Sequence, residues 1–248
     1  MDFDVLPGPT LPELARTALA RAAAATVTDA SPADTARTAG SAAVAGQVPV
    51  RAGRDGSPLL LPATGSPLAR WLASGPAAVT VSVPANPPFD ALRLTGTAGP
   101  LSEDRAAGLT ACPLNLRTAT FTSPGAAAQI PVGSYRAARP DPLWRVAAGV
   151  LRHLESGHMA ELIGCVRAHG LAQADWVIPR GLDRYGLELL VLTENGVAAV
   201  RLAFPGGPVA SIDDAPTSIR TALTCRCQAG PGQHRGPAAA RRPDTPPA

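Results

Sequence analysis

Apolar residues between positions 41 and 101 fall into short runs, and this pattern constrains the fold more than any other feature of the sequence. The runs are SAAVAGQVPVRAG, SPLLLPA, AAVTVSV and ALRLTGTAGPL, and the turn-forming clusters RDG, GSP and PANPPFD separate them. Short runs bounded by glycine, proline and aspartate are typical of strands in an antiparallel sheet. The first half of the chain is therefore predicted to be mainly β.

Helical patterns lie before and between these runs. Thr10 is a predicted N-cap for a helix over about 10–27, and Ser66 is a predicted N-cap for a short helix in GSPLARWLASGP. A third helix is predicted to begin at Ser102, and residues 128–138 are predicted to form a final strand. Six strands with two short helical insertions favour a small closed or half-closed barrel over a sandwich.

The apolar pattern changes after residue 142. A helix is predicted from about Pro142 to His169, with apolar residues at helical spacing, namely Leu143, Val146, Val150, Leu154, Leu162, Ile163 and Val166. Three strands follow, and Asn195-Gly196 predicts a tight hairpin between the last two. SIDDAPTSIRTAL predicts a terminal helix.

These patterns predict an α+β protein with a boundary near residues 138–142. The expected parts are a barrel domain over 1–140, a small α/β domain over 141–227 and a disordered tail over 228–248. The small domain is expected to contain a long helix, a three-stranded antiparallel meander and the terminal helix. The tail is predicted to be disordered because it is rich in proline, glycine, alanine and arginine.

Composition excludes several classes of function. All 22 basic residues are arginine, so neither a lysine Schiff base nor a P-loop lysine is present. A net charge of +3 with only 4% aromatic residues makes a nucleic-acid partner unexpected. The N-terminal residues are acidic and interrupted by prolines, and no apolar run is long enough to span a bilayer. We therefore expect a cytoplasmic protein with no membrane partner.

The four cysteines give a weak metal signal. Cys112 and Cys165 stand alone in the sequence, while Cys225 and Cys227 form a single C-x-C pair. A structural zinc site normally draws on two such pairs, or on one pair and two histidines. Free thiols are the preferred interpretation, and a zinc site is the alternative.

The segment VLRHLESGHMAELIGCVRAHG, followed by PRGLDRYGLELLV and VRLAF, resembles a known domain. It is similar to the small α/β domain that follows the split barrel in haem-utilisation proteins of the pyridoxamine 5'-phosphate oxidase-like superfamily. The family pattern HMNxDHxDAL, then GxDRYGxxL, matches this chain at His153, His158 and 183–186, whereas Glu155 and Gly157 replace the usual Asn and Asp. The similarity covers about 145–223.

The first half of the chain resembles the flavin-binding split barrel of the same superfamily. DGSPLLLPATGSPLARWL lies in the place of a strand and phosphate-proximal turn, and LRLTGTAGPL in the place of a central strand. The resemblance implies a flavin mononucleotide phosphate near Ser66 and Arg70. Leu68 and Ala69 intervene between them, where flavin-binding members usually have polar or basic side chains. The implied cofactors are therefore haem or flavin mononucleotide.

His153 and His158 are candidate ligands in RHLESGHMAEL. On one continuous helix, residues five apart point about 140° away from each other, so the two side chains are not expected to bind one metal ion together. The resemblance implies that His158 binds haem iron, while His153 is expected to be structural. The alternative for both is a hydrogen bond at a domain interface. His169 is expected to cap the helix C-terminus, where the helix dipole favours a cation.

The DRYG segment has two interpretations. Asp183 and Arg184 can form a structural ion pair in a tight turn with Tyr185 packed on the sheet. Alternatively, Arg180 or Arg184 neutralises a propionate or phosphate, which a guanidinium group does well, and Tyr185 contacts the same cofactor. Arg70 has the same two interpretations.

Two functions follow from these observations. No nucleophile, base and orienting group can be assembled from the sequence, so any redox chemistry must come from a bound cofactor. The first hypothesis is a haem- or flavin-binding split-barrel protein, and this hypothesis includes oxidoreductase activity that depends on the bound cofactor. The second is a non-catalytic regulatory or haem-sensing protein that has lost the flavin site. A homodimer is expected in both cases, because the apolar runs exceed what one small barrel buries and because split barrels usually pair.

Overall fold

The structure is a computed structural model, and it describes residues 8–30, 46–53, 55–75, 77–86, 90–104, 107–123 and 126–224. These residues form two compact units, Thr10–Asp141 and a second unit that begins at Pro142. The predicted tail, together with Cys225 and Cys227, lies outside the described residues. None of the described helices is long and apolar enough to cross a membrane.

The first unit is a closed antiparallel barrel. Its sheet runs in the order β3-β2-β1-β4-β5-β7, and pairing between β3 and β7 closes the ring, while β6 and β8 also pair with β7. The elements are α1 Leu11–Arg21, β1 Ala24–Asp29, β2 Gly46–Ala52, β3 Pro58–Leu60, α2 Pro67–Ala73, β4 Ala78–Asn86, β5 Asp90–Ala98, β6 Ser102–Asp104, β7 Leu109–Ser123, β8 Ala126–Ile130 and α3 Val132–Ala137.

Alternating strand residues build the barrel core. Val79, Val81 and Val83 on β4 are fully buried, as are Leu92 and Leu94 on the neighbouring strand β5. Side chains on a strand point alternately to its two faces, so every second residue enters the interior. Each fully buried side chain of this size contributes about 1.5–3 kcal/mol relative to exposure. The short apolar runs of the sequence are thus explained by one barrel interior.

The N-terminal helix is shorter than predicted. Thr10 caps α1 in a capping box with Glu13, as the sequence indicated, but the helix ends at Arg21 and residues 24–29 form strand β1. Val27 lies opposite Val81 of β4 and is fully buried. The alanine-rich sequence concealed the strand, whose β-branched residues favour an extended backbone.

Two further predictions in the barrel were wrong. The helix predicted from Ser102 is instead strand β6, followed by a turn into β7 in which Gly108 has a φ of +63°. Residues 128–138 form the end of β8 and then helix α3, because Pro131 ends the strand and lies at the N-cap position. Among the described residues the sheet has eight strands, and the closed ring itself has six, the number that was predicted. The predicted helix after Ser66 is confirmed as α2.

The second unit contains a three-stranded antiparallel sheet in the order β11-β10-β9, with helices packed on β9. The predicted meander is confirmed, and Gly196, with a φ of +123°, lies in the tight hairpin between its last two strands. With the barrel, this gives the α+β fold class that the sequence predicted. The elements are α4 Ala147–Gly157, α5 Met159–Ala168, β9 Ala174–Asp183, β10 Gly186–Thr193, β11 Gly196–Ala203 and α6 Ala215–Thr224.

The long helix predicted over 142–169 is divided into α4 and α5. The break lies at His158, whose φ of −130° and ψ of 26° are not helical. Leu154 and Leu162, on either side of the break, are both buried in the core of this unit. The apolar spacing therefore fits two helices that cover the same sheet, and periodicity alone did not show the interruption.

Candidate functional site

The break between α4 and α5 brings His153 and His158 together. Their Nε2 atoms are 3.2 Å apart, and the ring centroids are 4.9 Å apart with the ring planes at 69°. The prediction that the two imidazoles point away from each other was wrong, because it assumed a continuous helix. The non-helical backbone is that of His158 itself, at the end of α4, and its imidazole faces the ring of His153.

The sequence around the break explains its position. Ser156 and Gly157 precede His158, and adjacent serine and glycine residues are a common cause of sharp helix kinks. Ser156 donates its hydroxyl hydrogen to the carbonyl oxygen of His153 at 3.2 Å, which competes with the backbone hydrogen bonds of the last helical turn. This serine–glycine pair was the sequence signal that could have revealed the histidine pair.

The pair is open to ligands. The side chain of His158 is 38% exposed, and the carboxylate of Glu161 lies 3.6 Å from its Nδ1. A carboxylate on that side favours the tautomer with hydrogen on Nδ1, which leaves the Nε2 lone pair to accept the hydrogen bond from His153 or, in its place, to bind a metal. Apart from its chain neighbours and the backbone of α4, no described atom lies within 4 Å of a Cβ built on Gly157. This end of α4 therefore offers an imidazole nitrogen with open space beside it.

The DRYG segment forms the tight connection between β9 and β10. Asp183 accepts a hydrogen bond from the backbone N–H of Tyr185 at 2.8 Å and pairs with Arg201 of β11 at 2.5 Å. The guanidinium group of Arg184 lies 5.7 Å from the centre of the Tyr185 ring. The ion pair of Asp183 with Arg201, on the far side of β10, supports a structural role for this aspartate. The roles of Arg184 and Tyr185 as cofactor ligands stay predictions.

Position 186, the last of that motif, requires glycine because the backbone of β11 lies too close for a side chain. A Cβ built on it would lie 2.1 Å from the carbonyl oxygen of Leu202 on β11. The close approach explains glycine at this position without a ligand. Arg180, nearby on β9, is exposed, and its predicted contact with an anionic cofactor group stays a prediction.

The predicted flavin-phosphate residues lie in the barrel unit. The hydroxyl of Ser66 accepts a hydrogen bond from the backbone N–H of Ala69 at 3.2 Å and so caps α2. Arg70 is exposed in the last turn of this helix, and Leu68 and Ala69 between them are buried. Capping accounts for Ser66 by itself. Phosphate binding by Ser66 and Arg70 stays a prediction.

A polar cluster around the buried side chains of Tyr135 and Arg16 in the barrel was not recognised in the sequence. Tyr135 of α3 is fully buried and donates its hydroxyl hydrogen to the carbonyl oxygen of Gly56 at 3.1 Å. Arg16 of α1 lies 5.4 Å from the centre of that ring and donates to the carbonyl oxygen of Asp55 at 3.2 Å. The carboxylate of Asp55 in turn accepts from the hydroxyl of Ser57 at 2.7 Å. The cluster ties both helices to the turn before β3.

Two pKa values in this cluster are shifted in opposite directions. Burial raises the pKa of Tyr135 to about 12, and the nearby Arg16 only partly opposes the shift. Hydrogen bonds from the Ser57 hydroxyl and backbone lower the pKa of Asp55 below its ordinary value. Tyr135 is therefore a neutral donor at physiological pH, and the cluster has a structural role.

The described residues hold no cluster of three or more histidine, cysteine or carboxylate side chains suited to a metal ion. Cys112 and Cys165 are buried free thiols, and burial raises the pKa of Cys112. His169 is the C-cap residue of α5, as predicted, with its Nδ1 2.8 Å from the carbonyl oxygen of Cys165. The histidine pair is thus the feature of the described chain best suited to bind a ligand atom directly.

A solved structure of similar fold covers most of the chain. The chain is similar to a haem-binding protein from Mycobacterium smegmatis, with a TM-score of 0.64 and 22% identity over 89% of this chain and 98% of that one. A protein of unknown function from Agrobacterium tumefaciens matches with a TM-score of 0.40 and 16% identity, over 90% of this chain and 99% of that one. A NimC/NimA family protein from Clostridium acetobutylicum matches with a TM-score of 0.32 and 13% identity, over 45% and 88%.

No protein-family model matches the chain, and no curated protein matches it. The similarity to the mycobacterial structure extends over both units, so the chain has the fold of a barrel with a small α/β unit attached.

Proposed function

We propose that the protein binds haem and that His158 is the iron ligand. The observation that carries the proposal is the half-exposed imidazole of His158, held at a helix break beside open space at Gly157. Imidazole is a common axial ligand of haem iron. The mycobacterial haem-binding protein, which has the same fold over nearly its whole length, supports the choice of haem as the ligand. The superfamily relationship inferred from the sequence is part of the same proposal.

The residues at the break fit haem after one rearrangement. The Nε2 of His153 lies 3.2 Å from the Nε2 of His158, in the position that an iron atom needs. His153 is exposed and its ring can rotate about side-chain bonds, so the movement requires no change in the backbone. Bound haem would supply redox or oxygen chemistry, and the described residues would fix its position and electrostatic surroundings.

The barrel gives less support to flavin. The Ser66 hydroxyl already caps α2, and buried apolar residues separate it from Arg70. Oxidoreductase activity with flavin mononucleotide therefore stays the weaker part of the proposal. A regulatory, non-catalytic protein is the alternative when neither cofactor binds.

Titration of the purified full chain with haemin, and separately with flavin mononucleotide, tests this proposal by visible absorption. A Soret band that grows to one equivalent with haemin supports haem binding, and it should be lost or shifted in His158→Ala. His169→Ala is the matched control, since that histidine lies at the other end of α5, and it should bind haemin as the wild type does. Binding of flavin alone, or a haemin spectrum that His158→Ala leaves unchanged, would refute the assignment.

We also propose that the chain forms a homodimer through the outer face of the second unit's sheet. Trp176, Ile178 and Val197 on this face are 51%, 37% and 60% exposed. The strand register places Leu192 beside both Trp176 and Val197, so these apolar side chains are contiguous. Contiguous exposed apolar side chains on one sheet face are typical of interaction surfaces.

The charges on this sheet face favour a second copy of the chain as the binding partner. Glu188 and Arg201 are cross-strand neighbours on the same face, with Arg180 nearby on β9. Because a two-fold interface pairs a surface with itself, a patch that carries both signs of charge is complementary to its own copy. Sedimentation should show a dimer at micromolar concentration and a monomer for Trp176→Arg. A wild-type monomer would exclude the interface.

A further inference from the structure

The histidine pair has the geometry of a site for a single divalent cation. Two imidazole nitrogens bound to one tetrahedral Zn²⁺, each at about 2.0–2.1 Å, are about 3.3 Å apart, because the angle between them at the metal is near 109°. The Nε2 atoms of His153 and His158 are already 3.2 Å apart. A small ion can therefore replace the proton that the two nitrogens share, with little movement of either ring.

The carboxylate of Glu161 favours the metal-binding state of His158. The negative charge of Glu161, 3.6 Å from Nδ1 of His158, favours the tautomer with hydrogen on that nitrogen, which leaves the Nε2 lone pair facing His153. A carboxylate this close also offsets part of the charge of a bound cation. The pair is at the surface, so water can fill the coordination positions that the two imidazoles leave open.

We propose that His153 and His158 form a two-histidine site for a borderline divalent cation of the zinc, nickel or copper class. Imidazole nitrogen selects these ions over magnesium and calcium, which prefer oxygen ligands. The site is independent of haem, but both ligands use Nε2 of His158, so the cation and haem iron exclude each other. Occupancy by the cation would keep the His153 ring in place and block the rotation that haem requires.

The test is calorimetric titration of the full chain with Zn²⁺ in the absence of haem. The background protein is C225S/C227S/H234A, which removes the thiol and imidazole groups of residues 225–248 as competing ligands. We expect one equivalent of Zn²⁺ to bind this background, and His153→Ala and His158→Ala each to weaken binding by at least about 30-fold. His169→Ala on the same background should change the affinity less than about 2-fold.

Asparagine variants show whether weaker Zn²⁺ binding comes from the lost imidazole or from a folding defect. His153→Asn and His158→Asn are close to histidine in size and polarity, and each should weaken Zn²⁺ binding as the alanine variants do while retaining the wild-type circular dichroism spectrum. Equal zinc affinity in the background protein and in its double His153→Asn, His158→Asn variant would overturn the proposal. Since haem is absent, failure here leaves the haem proposal standing, and failure of haemin to bind leaves this site standing.

Discussion

Tyr135→Phe tests the buried polar cluster of the barrel. The substitution removes one hydroxyl from a fully buried side chain and leaves the carbonyl oxygen of Gly56 without the donor now 3.1 Å away. Loss of such a hydrogen bond costs about 1–1.5 kcal/mol of unfolding free energy near neutral pH. The ring itself is retained, so no cavity forms.

At alkaline pH the stability advantage of the wild type over Tyr135→Phe should disappear and then reverse. The pKa of Tyr135 is raised by burial from 10.0 to about 12, so the unfolded chain loses this proton at lower pH than the folded protein does. The stabilisation is fully present below about pH 10 and decreases as pH rises toward 12, by about 1.4 kcal/mol per pH unit in that window. The phenylalanine variant has no such proton, so its stability should equal that of the wild type near pH 11.

Urea unfolding followed by circular dichroism, from about pH 8 to about pH 11.5, measures the unfolding free energy of the wild type and of Tyr135→Phe as a function of pH. All other alkaline titrations, including that of Cys112, are common to both proteins and cancel in the difference. A constant difference between Tyr135→Phe and the wild type at every pH would refute the interpretation of the cluster.

Three further outcomes follow from the packing. Leu162→Ala, at a fully buried position of α5, should lower the unfolding free energy by about 2–5 kcal/mol in urea, and a loss below about 1 kcal/mol would contradict its place in the core. Gly186→Ala should destabilise the second unit, because the new Cβ would lie 2.1 Å from the Leu202 carbonyl oxygen; a melting temperature equal to that of the wild type would show that the strands separate easily there. Cys112 should react with a thiol reagent only after unfolding, since it is buried with a raised pKa, and mass spectrometry that finds it labelled in the native protein would contradict this burial.

Sequence patterns predicted the elements whose signals are local. The caps at Thr10 and Ser66, the hairpin at Asn195-Gly196 and the alternating strands all follow from residues within a few positions of each other, and the structure contains them. Strand β1 was missed because its pairing partners β2 and β4 lie far along the chain, and alanine-rich sequence favours helix when partners are ignored. Pairing with these distant strands, and not local helix propensity, determines the structure of β1.

The candidate site shows the same limit. His158 was found through a motif, but its contact with His153 depends on a break that a helical repeat does not reveal, although Ser156 and Gly157 indicated it. The cluster of Arg16, Asp55 and Tyr135 joins residues up to 119 positions apart, and the structure was needed to bring them together. Long-range contacts of this kind have no local signal in a single sequence.

The resonance Raman spectrum of the ferrous haem complex tests the assignment of His158 most directly, because an iron–histidine stretching band reports the bond itself. We predict this band in the wild type and in His153→Ala, where the neighbouring ring no longer has to rotate away. The band should be absent in His158→Ala with the chain still folded. The same band in His158→Ala, or its loss in His153→Ala with His158 intact, would contradict the assignment of His158 as the haem ligand.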